Sequence, residues 1–273
     1  MLPPDLVLLD ENDDPWIPSL TASQEKIYEV FTRANENMLR LAGKDPVYVY
    51  HLGDVTHGNH HHDKELTSTR MSDHVEIAIS NMSPFLHMKQ VKCLLLIKGT
   101  GSHEFGQASS TVLVAKHLKE LFKNKHVEAI GHALVRTEDG LLLDLAHHGP
   151  GAGVRNWTKG NVLRLYVRSM MVDLLQSGRE VPNLVARAHF HQYTTETVNV
   201  RANGTTNKTE GLILPSFSFL DDYARKSAKS PGKVTVGCVI AEVVDGRIIK
   251  IHDEEPDWME TVDLRKEINL GTT

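Results

Sequence analysis

Cysteine is scarce in this sequence: the 273 residues contain only Cys93 and Cys238. Two thiols are too few for a zinc site built mainly from cysteine. Each cysteine lies in an apolar run, which is typical of small buried side chains in a reducing compartment. The cysteine content therefore favours an intracellular domain over a disulfide scaffold or a Cys-rich zinc module.

Long apolar segments are also absent. No stretch approaches the length of about 20 apolar residues that a membrane-spanning helix requires. Met1 is followed by Leu-Pro-Pro-Asp, which has neither the basic nor the apolar region of a secretory signal peptide. We therefore expect a cytoplasmic protein with no membrane partner.

The chain has no excess of positive charge either. It carries 30 Lys and Arg against 35 Asp and Glu, for a net charge of −5, which does not indicate a globally basic nucleic-acid-binding protein. The length fits one α/β domain over residues 1–273 better than two domains. The abundance of histidine, 16 residues, points instead to metal binding, because neutral imidazole is the commonest metal ligand.

Strand and helix patterns alternate along the chain. Helices are predicted at residues 21–42, 72–85, 110–122 and 161–176, strands at 46–52, 91–97 and 184–188, and strand pairs at 132–147, 195–213 and 233–252. Residues 1–20 are interpreted as an irregular lead-in, and residues 254–273 as a loose tail. This order predicts an α/β fold in which a mixed β-sheet sandwich is flanked by helices.

Polar side chains with metal-binding chemistry follow several of the predicted strands. They are Asp54, His103, His148, His189 and His191. Ligand sites of α/β proteins assemble at the carboxyl ends of strands, so these residues are candidates for one site. One carboxylate with several imidazoles suits Zn²⁺, Mn²⁺ or Fe.

Each of these residues also has an ordinary structural interpretation. Asp54 and His148 each adjoin glycine and fit tight turns, and His103 fits a loop before a helix. His189 and His191 are more specific, since side chains two apart on an extended segment point the same way. The argument for a metal site therefore depends on the joint pattern.

That joint pattern resembles the calcineurin-like metallophosphoesterase superfamily, in a subgroup common in phages and their hosts. The family carries D-x-H, G-D, G-N-H-[DE], H-G and G-H-x-H in this order, each after a strand. Here Gly53-Asp54 matches the second motif, residues 99–104 (GTGSHE) stand at the third, and His148-Gly149 matches the fourth. Residues 188–191 (AHFH) match the fifth, with alanine for glycine, so the resemblance covers roughly residues 45–220.

The resemblance implies a four-layer sandwich with two divalent metal ions that cleaves phosphate mono- or diesters, nucleic acid among them. By this resemblance Asp54 would bridge the two ions, His148 and His189 would bind one, and His191 the other. His103 would be the catalytic histidine. The ions expected for the family are Mn²⁺, Zn²⁺ or Fe.

The sequence departs from the family pattern at the third motif. Gly58-Asn59-His60 spells that motif literally, but no strand separates it from Asp54, so we assign the motif to residues 99–104. There Ser102 stands in place of the asparagine ligand, with Thr100 nearby. His60, His61 and His62 are interpreted as a polar rim of the cleft.

The first motif, D-x-H, is absent, and the chain starts where the segment after that motif is expected. One of the two metal sites is therefore expected to be weak or empty, and activity of this chain to be low unless an upstream D-x-H segment is restored. The alternative function is that of a degenerate member that binds metal or serves as a scaffold without catalysis.

Overall fold

The computed structural model describes residues 1–58, 66–105, 109–151, 153, 158–219 and 233–265. Within these ranges the chain forms a mixed α/β fold. The helices are α1 (Ala22–Ala42), α2 (Met71–His87), α3 (Ser109–Leu121) and α4 (Asn161–Gln176). None of the described helices is long and apolar enough to cross a membrane.

The start of α1 follows directly from its sequence. Thr21 Oγ1 accepts a hydrogen bond from the Gln24 backbone at 3.3 Å, and Gln24 Oε1 accepts one from the Thr21 backbone at 2.8 Å. This reciprocal pair is the capping box that Thr21 and Gln24 predict, and it satisfies two backbone donors at the helix N-terminus.

A parallel three-stranded sheet forms the first layer of strands. It consists, in spatial order, of β3 (Val47–His51), β4 (Val91–Ile97) and β5 (His126–Ile130). The prediction of β4 as a strand buried on both faces is confirmed, because Leu94 and Leu96 join one core cluster while Leu95 and Ile97 join another. The crossovers place α2 between β3 and β4, and α3 between β4 and β5.

A mixed five-stranded sheet forms the second layer, in the spatial order β6-β7-β8-β10-β9. Its strands are β6 (His132–Arg136), β7 (Leu142–Ala146), β8 (Leu184–Arg187), β9 (Thr194–Ala202) and β10 (Thr205–Ile213). The predicted antiparallel pairs at 132–147 and 195–213 are both confirmed. The β7–β8 and β8–β10 pairs are parallel.

The two sheets share an apolar cluster, and helices cover their other faces. Leu95 and Ile97 of β4 pack in the same cluster as Leu143, Leu145 and Ala186 from the second sheet. Helices α1 to α3 pack on the far side of β4, and α4 packs against β9 and β10. This layering places the carboxyl ends of β3, β4, β7 and β8 close together, and the candidate site lies there.

Two terminal segments are more ordered than the sequence predicts. Residues 1–20, expected to be an irregular lead-in, contain the antiparallel pair β1 (Leu8–Leu9) and β2 (Pro15–Trp16). The expected loose tail, 254–273, contains β14 (Met259–Asp263), since Trp258 and Met259 bury their side chains despite the acidic surroundings. Residues 266–273 lie outside the described residues.

The strand pair predicted at 233–252 is only partly right. The hairpin turned at Asp245-Gly246 joins β12 (Ile240–Val244) to β13 (Arg247–His252). The earlier residues form a separate strand, β11 (Lys233–Gly237), which pairs with β14. Gly237 is the last residue of β11, and a Cβ at that position would overlap the backbone of residues 258 and 259.

Replacing Leu96 by alanine should destabilise the protein by about 2–5 kcal/mol. Leu96 lies on β4, and its fully buried side chain packs against the helices that cover the first sheet. The matched control is Leu113→Ala on α3, where the side chain is 41% exposed and the expected cost is below about 1 kcal/mol. Urea unfolding followed by circular dichroism measures both. Equal losses in the two variants would contradict the placement of β4 at the centre of the core.

Candidate metal centre

Asp54 reaches the site from the end of β3 through an unusual backbone. Gly53 has φ 104° and Asp54 has φ 53°, both in the left-handed region. A side chain at Gly53 would overlap the His147 imidazole, so glycine permits the close approach of these two segments. A left-handed aspartate is tolerated because its side chain is short and polar, and here the bend turns the carboxylate toward the ends of the neighbouring strands.

The Asp54 carboxylate is held by groups from two other strand ends. Its Oδ1 accepts a hydrogen bond from the Thr100 backbone N–H at 2.7 Å, and its Oδ2 lies 3.1 Å from His147 Nε2. Burial alone would raise the pKa of Asp54, but the hydrogen bond and charge of His147, with smaller effects of His103 and Thr100, hold it well below its usual range. The Asp54 carboxylate is therefore ionised at neutral pH and able to bind a cation.

His147 follows β7 and is the most buried imidazole of the site, with 3% exposure. Its Nδ1 donates to the Leu52 carbonyl at 2.6 Å, which assigns the tautomer and leaves Nε2 directed at Asp54. Burial lowers the pKa of His147, but the hydrogen bond and charge of Asp54 outweigh burial and raise it overall. Nε2 can thus share a proton with Asp54 or present its lone pair to a cation, and a backbone carbonyl behind the ring is typical of metal-binding histidines.

His148 and His189 complete a group of three imidazoles with His147. One ring nitrogen from each lies within 4.8 Å of the others, which is a spacing that one metal ion can bridge. His189 Nδ1 is 3.3 Å from His147 Nε2, and the rings of His148 and His189 are 4.9 Å apart. Burial, followed by the charge of His147, lowers the pKa of both His148 and His189, so both rings are neutral and able to coordinate.

The backbone around His189 differs from the extended segment that the sequence suggests. His189 has φ 74° and His191 has φ 52°, so both residues are left-handed. The extended backbone that the sequence argument assumed for this segment is therefore wrong. Of the two residues, His189 belongs to the three-imidazole group found among the described residues, and His191 does not.

His191 is nevertheless a half-buried residue close to the site, and its Nδ1 atom is buried. Burial lowers its pKa to about 4, with smaller effects of the charges on Asp54, His189 and His103. Its Nδ1 has no hydrogen-bond partner among the residues that the structure describes. An orphaned ring nitrogen is costly in a protein interior, and a cation would satisfy it.

His103 lies beside the Asp54 carboxylate. It ends a short 3-10 turn, Gly101–His103, and its Nε2 is 4.0 Å from Asp54 Oδ2. Its Nδ1 contacts the His57 carbonyl, an interaction that directs Nε2 into the site. The competing Asn59 and His60, and the interpretation of His60 to His62 as a rim, lie outside the described residues.

Two residues of the site were missed by the sequence analysis, His147 and Thr100. The Thr100 hydroxyl is 3.2 Å from both His147 Nε2 and His189 Nδ1, whereas Ser102 was expected at this place. The available indications were the doubled histidine before Gly149 and the strand-end position of Thr100. Neither pattern shows which of two adjacent residues points its side chain into the site, because that direction depends on the residue at which the strand ends.

The donor set fits a divalent metal ion. Three imidazoles offer ring nitrogens within 4.8 Å of one another, and the ionised Asp54 carboxylate and the Thr100 hydroxyl lie 3.1 and 3.2 Å from His147 Nε2. One carboxylate, three imidazoles and a hydroxyl suit Zn²⁺, Mn²⁺ or Fe. The Leu52 carbonyl orients the His147 imidazole from behind, and the His147 carbonyl accepts the Ala188 N–H at 3.0 Å. The second bond joins the backbone before His189 to the end of β7.

Comparison with known proteins adds no relative: no family model matches the chain, and no curated protein matches it significantly.

Gly99→Ala should weaken metal binding by at least about tenfold, because a Cβ at Gly99 would overlap Asp54 Oδ1 and its backbone nitrogen. Gly101→Ala is the matched control, since a Cβ there meets no atom within 4 Å. Isothermal titration of the metal-free proteins with Mn²⁺ and Zn²⁺ measures both affinities. Unchanged binding by Gly99→Ala would mean that Asp54 does not hold the ion.

Proposed function

We propose that this chain is a metal-dependent hydrolase of phosphate mono- or diesters with the calcineurin-like metallophosphoesterase fold. The observation that carries the proposal is the convergence of His147, His148 and His189 at strand ends, with the Asp54 carboxylate of the facing sheet in contact with His147. The order of the sequence motifs and the mixed α/β layering support the same family. Nucleic-acid phosphodiesters belong to the proposed substrate class.

A divalent cation in this centre would neutralise charge on a phosphate group and lower the pKa of a water molecule at neutral pH. The residues of the chain determine where that chemistry takes place. Asp54 supplies the negative charge, and the Thr100 N–H fixes the orientation of its carboxylate. His148 and His189 supply neutral ring nitrogens beside it, and His147 supplies a third when its Nε2 carries no proton.

His103 is placed to act on the departing group of the substrate. Its Nδ1 is engaged by the His57 carbonyl, so Nε2 is the atom that can carry a proton to the leaving oxygen. The separation of 4.0 Å between Nε2 and Asp54 Oδ2 leaves the ring beside the centre but outside the converging nitrogen atoms. This position suits proton transfer to a bound ester better than coordination.

A second candidate function is a metal-binding or scaffold module without catalysis. It is favoured by the grouping of ligands, since the convergent set within the described residues is His147, His148 and His189, and His191 is not part of it. Such a set holds a single ion, whereas family catalysis is expected to use two. Metal content and turnover measured on the same preparation separate the two candidates.

His189→Ala and His147→Ala should each lower Mn²⁺ affinity and metal-stimulated hydrolysis at least about tenfold, because each removes a converging nitrogen. The control is His117→Ala, which removes an exposed imidazole from α3. The assay uses untagged protein, 4-nitrophenyl phosphate and bis(4-nitrophenyl) phosphate, with metal content measured by mass spectrometry. Stoichiometric metal without turnover of either ester would establish the second candidate, and no metal binding at all would contradict both.

His103→Ala should slow hydrolysis of phenyl phosphate by about 10²–10⁴-fold. The loss should be smaller with 4-nitrophenyl phosphate, because nitrophenolate is a better leaving group that needs less protonation. Metal affinity should stay within about threefold of the wild type, since the ring is not one of the converging ligands. Equal losses on both esters would show that His103 does not protonate the leaving oxygen.

A further inference from the structure

Glu104 is a fully buried carboxylate next to the proposed catalytic histidine. It is 1% exposed, although glutamate is rarely buried without a specific role. Transferring a charged group to the interior is unfavourable unless several donors surround it. A buried Glu104 carboxylate is therefore expected to accept several hydrogen bonds.

Four donors from two elements surround the carboxylate. Oε1 accepts the Gly99 N–H at 2.8 Å and also contacts the Thr111 hydroxyl. Oε2 accepts the Thr111 N–H at 3.0 Å and the Ser110 hydroxyl at 3.1 Å. One side chain thus links Gly99, the second residue after β4, to the first turn of α3, where the helix dipole also favours negative charge.

A second link joins this network to the loop that carries Asp54. The buried Thr56 hydroxyl donates to the His103 carbonyl and lies 2.9 Å from Ser110 Oγ. The backbones of the two loops also pack closely at Gly58, where a Cβ would overlap the Ser102 carbonyl. The loop after β3, the turn after β4 and the start of α3 are therefore fastened together at Glu104.

The turn closed by Glu104 carries both groups that orient the site. Gly99 and Glu104 bound residues 99–104, and between them lie Thr100, whose N–H holds Asp54, and His103. A displacement of this turn would move the His103 ring away from the His57 carbonyl and loosen the Asp54 carboxylate. Neither consequence requires any contact between Glu104 and substrate or metal.

We propose that Glu104 is a positioning residue, which sets the orientation and tautomer of His103 relative to Asp54 by closing the turn 99–104 against α3. This inference rests on the proposed function for its kinetic consequence. The geometric consequence, a fixed His103 tautomer, is independent of activity. The two parts can therefore be tested separately.

The geometric test compares wild type with Glu104→Gln, which keeps the shape but replaces one acceptor oxygen by an amide donor. That donor faces Thr111 and either Gly99 or Ser110, depending on the oxygen replaced. Nuclear magnetic resonance of protein labelled with ¹⁵N-histidine reports the tautomer of each ring, and His103→Ala identifies the His103 signals. We expect the Nδ1–H tautomer in wild type and a mixture of tautomers in Glu104→Gln. The control Glu120→Gln, at an exposed position of α3, should match wild type.

The kinetic test uses the same variants with saturating Mn²⁺. Glu104→Gln should lower kcat for phenyl phosphate by about 10- to 100-fold, with a smaller loss for 4-nitrophenyl phosphate. In the His103→Ala background the same substitution should change kcat less than about threefold, since its effect passes through His103. If Glu104 served stability alone, the loss of kcat would not depend on the leaving group or on the presence of the His103 side chain.

The outcomes distinguish this inference from the proposed function. If wild type hydrolyses no ester but Glu104→Gln alters the His103 tautomer, the positioning role holds and the hydrolase proposal fails. If the tautomer stays as in wild type, the positioning role is wrong. Should Glu104→Gln not fold, Ser110→Ala and Thr111→Val each remove one hydroxyl donor to Glu104, and an unchanged His103 tautomer in both would equally overturn it.

Discussion

The contact between the Asp54 carboxylate and the His147 imidazole joins the two halves of the molecule. Asp54 extends from the three-stranded sheet and His147 from the five-stranded sheet, and their atoms approach to 3.1 Å. The bond from His147 to the Leu52 carbonyl secures the same junction from behind. The apolar cluster between the sheets brings these layers together, but this polar contact sets the position at which their strand ends meet. The turn after β4 then adds Thr100 and His103 around the same carboxylate.

This arrangement places several imidazoles close together, where they would repel one another if all were protonated. Burial and the charge of His147 depress the pKa values of His148 and His189, and burial depresses that of His191 to about 4. The fold thus keeps several rings neutral around one anion. A ligand that binds only the folded state stabilises it, so a bound cation would link the stability of the two-sheet junction to metal concentration.

The alternation of strands and helices could be predicted from the sequence because apolar β-branched runs and helical spacing are local properties. β5 was missed because exposed His126 and Glu128 alternate with its apolar residues and leave a short, weak pattern. At the site, Asp54 and His189 were found because each follows a strand closely. His147 and Thr100 were not, since their direction depends on the end of a strand and on tertiary contacts. The left-handed turn at His189 and His191 has no sequence signature, because such turns are usually marked by glycine or asparagine.

That left-handed backbone has a consequence for how the sequence can change. Asp54, His189 and His191 each occupy a conformation in which glycine is free of strain, whereas other residues cost about 1 kcal/mol or more. Glycine at any of the three positions would relieve this strain, but at Asp54 it would also remove the contact with His147 that joins the two sheets. At each position the backbone alone therefore favours glycine or asparagine over the residue that is present. The acid and the two imidazoles are explained by the chemistry of their side chains rather than by the preference of the backbone.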